Sequence, residues 1–282
     1  MPLPYSGISI GFAAARFSTT PPFPGPEYWS NASKLASGKF KGSTPEGIWV
    51  IGGILQGGTC YLNFPSSREF SHISFTAADE NEEYLDYFDA QGISIILQIE
   101  PGIADVDTVL KLVLDQYSHH SCVVGIGVDV EWYGAPTYGS GKPVTDEVAA
   151  HWYELINTYN RSDTADVDTI YGTSDTNKRY CLALTHWKTE KMPPTYRNGV
   201  YFLYDGERFS SLEDMMTYCT EWSKTFNDSA VGYYIGFPND SFWWSRYNDP
   251  FKTLGDSLLK NIDNVKGVYW VGLSIKQIYR GQ

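Results

Sequence analysis

Two carboxylates spaced two residues apart, Asp129 and Glu131, close the run VVGIGVDVEWYG of residues 123–134. The Val, Ile and Gly that precede them read as a strand buried on both faces. Side chains alternate along a strand, so Gly125, Gly127, Asp129 and Glu131 share one face, while Val124, Ile126, Val128 and Val130 share the other. This strand carries no basic residue, buried charge is costly unless paired, and neighbouring carboxylates repel. Such an arrangement raises the proton affinity of one acid, which suits general acid catalysis near neutral pH. A structural acid pair satisfied by donors from elsewhere is the competing reading; the clustering of perturbed carboxylates at active sites favours function.

The elements that must hold this pair are legible as nine short apolar, β-branched runs at 7–12, 48–53, 72–76, 93–100, 124–132, 180–187, 200–205, 231–237 and 267–273. Helical patterns separate most of them, among them the segment from 145 with Thr145 as its cap. Strand and helix alternate, which predicts a parallel sheet with helical crossovers. With 282 residues and no internal repeat or linker, the chain reads as one domain, 1–282, built as a TIM (β/α)8 barrel.

Nine candidates exceed eight places. The run at 7–12 is set outside, as an extra N-terminal strand, with helix 25–40 filling an outer position because 274–282 is too short for a last helix. Residues 1–45 then form an extension packed on the barrel. The alternative makes 7–12 the first barrel strand and demotes 48–53. On the first arrangement the acid strand is the fourth, and its carboxylates lie at the carboxyl-terminal rim, where active sites of this architecture form. The Gly- and Pro-rich stretch 134–143 follows as a long loop above the sheet, a place for functional residues.

Composition narrows the ligand. Lys plus Arg number 21 against 33 Asp plus Glu, a net charge of −12, which repels nucleic acid as a partner. Nine Trp and 21 Tyr offer rings that stack on flat apolar faces, such as those of sugars. Cys60, Cys122, Cys181 and Cys219 lack ligand spacing, so neither a metal nor another cofactor is expected, and two disulfides or none are open. Sequons at Asn31, Asn160, Asn227 and Asn239 fit a secretory route, and the chain is expected to be secreted after loss of a leader. No stretch approaches a membrane span, and a monomer is expected.

With these landmarks in place, the sequence resembles glycoside hydrolase family 18, the chitinases and related endo-N-acetylglucosaminidases. The family's fourth-strand motif D-x-x-D-x-D-x-E falls on Val124, Gly127, Asp129 and Glu131, matching the last two acids and departing at the first two. Its sixth-strand M-x-Y-D is similar to FLYD, at Tyr204 and Asp205, and its eighth-strand tryptophan is similar to Trp270 in GVYW. The third-strand S-x-G-G is replaced by LQIEPG, with Gln98 and Glu100 alternating inward.

The resemblance implies hydrolysis of N-acetylhexosamine-containing oligo- or polysaccharides with retention. Glu131 would protonate the leaving oxygen and the substrate's own N-acetyl group would attack, with Asp129 orienting it and Tyr204 donating to the acetyl carbonyl. Glu100 can stand in for the missing acid if its strand is adjacent. Two other readings remain open: a muramidase-like glycosidase in which Glu131 works with a second carboxylate such as Glu100 or Asp205, and a barrel lectin without catalysis.

Trp132, Trp187, Trp243, Trp244 and Trp270 lie at or beyond strand ends, where indoles can stack on sugars, and the doublet in FWWS is expected to form a binding platform. His186 can hydrogen-bond substrate or be satisfied by a neighbour. His119 and His120 are expected to face solvent at the amino end of the acid strand. Asp79, Glu80, Glu82 and Glu83 read as a negatively charged helix start and not as a metal cluster.

Overall fold

A computed structural model describes residues 7–17, 19, 21–159 and 179–279. The sequon at Asn160 and residues 280–282 of the C-terminal segment lie outside them. In chain order the elements are β1 (Ile8–Ala15), α1 (Pro26–Ser37), β2 (Ser43–Val50), β3 (Gly52–Leu55), β4 (Thr59–Leu62), β5 (Ile73–Phe75), α2 (Glu82–Gln91), β6 (Ser94–Ile99), α3 (Val106–Tyr117) and β7 (Val123–Asp129). Then come α4 (Asp146–Thr158), β8 (Cys181–Thr185), β9 (Val200–Tyr204), α5 (Leu212–Thr225), β10 (Ala230–Ile235), α6 (Ser241–Trp244), α7 (Pro250–Asn261), β11 (Val265–Val271) and α8 (Gly272–Ile278).

Strands β1, β2, β6, β7, β8, β9, β10 and β11 close into a parallel eight-stranded barrel, with β1 pairing both β2 and β11. This is the TIM (β/α)8 fold that the alternation predicts, with eight α-helices among the described residues. The N-terminal arrangement differs from expectation. The run at 7–12 belongs to the first barrel strand, so the described residues within 1–45 are part of the barrel and not an extension of it, and 48–53 is not demoted because β2 is the second barrel strand. The displaced candidate is 72–76: β5 is three residues long and joins β3 and β4 in a separate small sheet. A β-branched run signals a strand but not its partner, and only closure of the ring decides which eight share one sheet. The two displacements cancel in the count, so β7 remains fourth, β9 sixth and β11 eighth.

Nor does the chain stop short of a last helix, since α8 follows β11 directly. Thr145 caps α4 as expected, its hydroxyl accepting from the Val148 amide at 3.3 Å. All four cysteines are buried and none is joined in a disulfide. No helix among the described residues is long and apolar enough to cross a membrane.

The core has two layers. Ala13, Ile48, Ile96, Ala183, Leu203 and Val271 point into the barrel, while a larger layer between strands and helices takes Trp29, Trp49, Phe88, Val128, Phe202 and Trp222. Burying a large apolar side chain is worth roughly 1.5–3 kcal/mol. Both layers set the parity of each strand, and that parity decides which polar side chains reach the barrel mouth.

Candidate active site

The acid strand ends three residues earlier than its pattern suggests. Strand β7 closes at Asp129, and Val130–Trp132 forms a single 3-10 turn that carries Glu131. Asp129 caps this turn, Oδ1 accepting from the Glu131 amide at 3.1 Å. The pair therefore converges through a capped turn, not through shared strand alternation. Gly125 and Gly127 do face inward with Asp129: a Cβ on Gly127 would sit 3.5 Å from both Gln98 and Ala183. Gln98 thus borders the space where the resemblance would put a further acid.

Loop 134–143 closes over the turn. A Cβ on Gly141 would lie 2.3 Å from the Glu131 carbonyl oxygen, so only glycine permits this approach, and the Lys142 amide donates to Tyr133 O at 2.8 Å. The loop carries Tyr138, whose ring meets Trp132 edge-on at 5.9 Å and whose hydroxyl acts to lower the proton affinity of Glu131. The sequence reading missed Tyr138; its one signal is membership of a long loop beside the acid pair.

Two more acids complete the group. Asp205 follows β9 on the inward parity of Tyr201 and Leu203, and carboxylate oxygens of Asp129, Glu131 and Asp205 lie within 4.8 Å of one another. Glu100 follows β6, the strand adjacent to β7, and is 7% exposed. Beneath them Gln98 ties three strands together: its Oε1 accepts from Thr185 Oγ1 at 3.0 Å and from the Tyr234 hydroxyl at 2.7 Å. Gln98 and Glu100 therefore alternate inward as predicted.

No ion pair reaches these four acids among the described residues. Burial pushes Glu131 up to about 7; the Tyr138 hydrogen bond opposes this, Glu207 adds to it and Lys188 opposes it. Burial, followed by repulsion from Glu131, lifts both Glu100 and Asp205 to about 8. Asp129 is raised well above the carboxylate range by burial and then by Asp205, Glu100 and Glu131. The group therefore holds protons at neutral pH. Glu131 Oε1 and Asp205 Oδ1 are shielded from solvent and lack a hydrogen-bond partner within the protein. Both residues line a cleft of about 520 Å³, together with Tyr138, Trp187, Tyr204 and Glu207. The Asp129, Glu131 and Asp205 oxygens also suit an oxygen-seeking divalent cation, which would have to displace the bound protons.

Several expected binding residues lie elsewhere. Tyr204 takes the helix-facing parity of β9, its ring against Trp222 at 5.2 Å and Tyr233 at 6.2 Å, so it borders the cleft without pointing at the carboxylates. Trp270 is fully buried in the helix-facing layer, donating to Ser274 Oγ at 2.8 Å. Nor do Trp243 and Trp244 form a platform: both are buried, with indole NH groups donating at 2.9 Å to Phe209 O and Phe237 O. The exposed ring of that segment is Phe242. His186 is buried; burial, then Lys191 and Lys188, lower its pKa to about 4, and its Nδ1 accepts from the Trp187 and Lys188 amides at 2.8 and 3.2 Å. It is a neutral cap for that turn. Trp132 and Trp187 remain half-buried beside the acids. His120 is buried, contrary to expectation, while His119 is half-exposed.

Comparison of the chain with family models and with curated proteins returns no match. The assignment of chemistry therefore rests on a TIM barrel whose carboxyl-terminal mouth gathers buried Glu100, Asp129 and Glu131 and partly buried Asp205 beside one cleft.

Proposed function

We propose that this protein hydrolyses N-acetylhexosamine-containing glycans with retention, using Glu131 as acid and base. The observation that carries this reading is the convergence of Asp129, Glu131 and Asp205 within 4.8 Å at the mouth of the barrel, with Glu131 holding a proton up to about pH 7. Glu131 gives its proton to the glycosidic oxygen as the bond to the anomeric carbon breaks. The 2-acetamido carbonyl oxygen of the same sugar attacks that carbon, forming a cyclic oxazolinium ion. Carboxyl oxygens of Asp129 and Asp205 accept from the acetamido N–H, which orients the carbonyl for attack and strengthens as that N–H becomes more acidic in the cyclic ion. The Glu131 carboxylate then takes a proton from the water that opens the ring, restoring the starting state.

Trp187 and Tyr138 supply aromatic walls for the sugar, in place of the buried tryptophan doublet. Tyr138 stands nearer to the chemistry than Tyr204, because its hydroxyl lowers the proton affinity of the acid itself.

A second reading assigns the attack to Asp205, whose unpartnered Oδ1 lies close to Glu131. Their carboxylate oxygens lie within 4.8 Å, closer than the about 5–5.5 Å of retaining pairs and well short of the about 6.5–9.5 Å that an inverting pair needs. Digestion of a glycan panel with reducing-end detection tests hydrolysis itself, with Glu131→Gln as the control. No new reducing ends from any acetamido glycan would overturn the proposal. A thiazoline inhibitor and a 2-fluoro sugar then divide the two readings: inhibition by the first supports attack by the acetamido group, whereas a covalent adduct on Asp205 with the second supports the protein nucleophile.

A further inference from the structure

At the amino-terminal end of the barrel, far along β7 from the acids, two adjacent imidazoles converge on one carboxylate oxygen. His119 and His120 lie in the turn between α3 and β7, and Glu82 is the first residue of α2. His119 Nε2 is 3.1 Å and His120 Nε2 is 3.4 Å from the same atom, Glu82 Oε1. The rings are 4.1 Å apart, and the three ligand atoms lie within 4.8 Å of one another. A tetrahedral ion with bonds of about 2.0–2.1 Å separates its ligand atoms by about 3.3 Å. The two observed nitrogen-to-oxygen distances bracket that edge.

Protonation sharpens the point. His120 Nδ1 lies 2.7 Å from Asp89 Oδ2, and Asp89 Oδ1 accepts from Ser121 Oγ at 2.7 Å and from the Cys122 amide at 2.5 Å. With its proton on Nδ1, directed at Asp89, His120 turns the Nε2 lone pair towards Glu82, lone pair against lone pair. His119 aims Nε2 at the same oxygen. One divalent cation placed between them would use both Nε2 lone pairs and the carboxylate together. A carboxylate behind a ligating histidine is the usual support that fixes its tautomer.

Glu82 is held in place independently of any ion. Asp79 Oδ1 accepts from the Glu82 amide at 3.0 Å and from the Asn81 amide at 2.8 Å. Glu82 Oε2, the oxygen other than the one the two imidazoles face, is shielded from solvent and has no hydrogen-bond partner within the protein. His120 is buried, while His119 and Glu82 are 50% and 39% exposed, leaving a path for entry.

We propose that His119, His120 and Glu82 bind a zinc-class divalent ion, with solvent in the fourth position and Asp89 orienting His120. Nitrogen donors favour zinc, cobalt or nickel over calcium or magnesium. The amino-terminal face of this architecture serves stability, and the ion would clamp the start of α2 to the turn that leads into β7. This revises the reading of Glu82 as mere helix-start charge.

The test titrates chelator-treated protein with Co²⁺, followed by Zn²⁺. One Co²⁺ per chain with visible ligand-field bands, displaced by Zn²⁺, is expected, together with a Zn²⁺-dependent rise in melting temperature. His119→Ala, at a half-exposed position, and the isosteric Glu82→Gln should each weaken binding by roughly 10- to 100-fold. His151→Ala removes a surface imidazole paired with Asp107 and should leave the bands unchanged, as should Glu131→Gln in the distant acid group. Absence of the bands, or bands that survive both His119→Ala and Glu82→Gln in folded protein, would overturn the site.

Discussion

Replacing Glu100 by Gln tests the electrostatics of the cleft without presuming its chemistry. Burial, then Glu131, raise the Glu100 carboxyl from 4.5 to about 8. A group whose proton affinity is higher in the folded state favours folding most at low pH. That advantage is complete below its unfolded pKa and is lost as pH rises through its folded pKa. The wild-type chain should therefore lose stability between about pH 4.5 and about pH 8 from this residue. At about 1.4 kcal/mol per decade of proton affinity, the full shift is worth about 5 kcal/mol for a fully buried carboxyl.

Glutamine keeps the shape and has no proton to lose. At pH 4 wild type and Glu100→Gln should be nearly equal in stability. By pH 9 the variant should be more stable by roughly 3–5 kcal/mol, since the wild type must then hold a buried charge beside Glu131. Urea unfolding at several pH values, with the slope against urea checked for constancy, measures the difference. Parallel stability curves for the two proteins from pH 4 to pH 9 would refute the reasoning, because Glu100 would then titrate alike folded and unfolded.

The rate of glycan cleavage should fall above about pH 7 as Glu131 loses its proton, and Glu131→Gln should lower kcat by roughly 100-fold or more with little change in binding; unchanged turnover would remove Glu131 from the chemistry. Tyr138→Phe removes a hydrogen bond that lowers the Glu131 pKa, so the alkaline limb of the pH–rate profile should move to higher pH, and a move to lower pH would contradict the contact. Trp244→Ala should cost roughly 3–5 kcal/mol of stability and affect glycans of all lengths alike, because the ring is buried, whereas Trp187→Ala should weaken glycan binding without a comparable loss in melting experiments.

Periodicity shows which segments are strands and helices, and here it was enough to name the fold and to find Asp129, Glu131, Gln98 and Glu100. It does not say which strands are neighbours. Closure of the ring brought in Ile8–Ala15 and left Ile73–Phe75 outside, through pairings between residues far apart in the chain. Parity explains other differences. Tyr204 and Asp205 are adjacent, so only one can face the barrel interior, and the polar one does. Gly267 and Tyr269 face inward, which turns Trp270 to the helices. Those two outcomes were available from alternation alone. Tyr138 was not, because a loop's path has no period, and the burial of His120 depends on helix α2 crossing the turn that carries it.

The way the cleft holds its acids links its stability to its chemistry. A barrel that ionised these carboxylates would need cations among them, and cations would pull the Glu131 proton off well below neutral pH. Here the floor is neutral, made of Gln98, Thr185 and Tyr234, and among the described residues Lys188 is the cation that tempers Glu131. Protons take the place of counter-ions. The burial that makes the folded chain lose stability as pH rises is therefore the same burial that keeps a transferable proton on Glu131. Relieving the strain at Glu100 should accordingly change how the remaining acids share their protons. Asp129, whose pKa is raised in part by Glu100, should ionise at lower pH in Glu100→Gln, and a negative Asp129 should hold the proton on Glu131 more firmly.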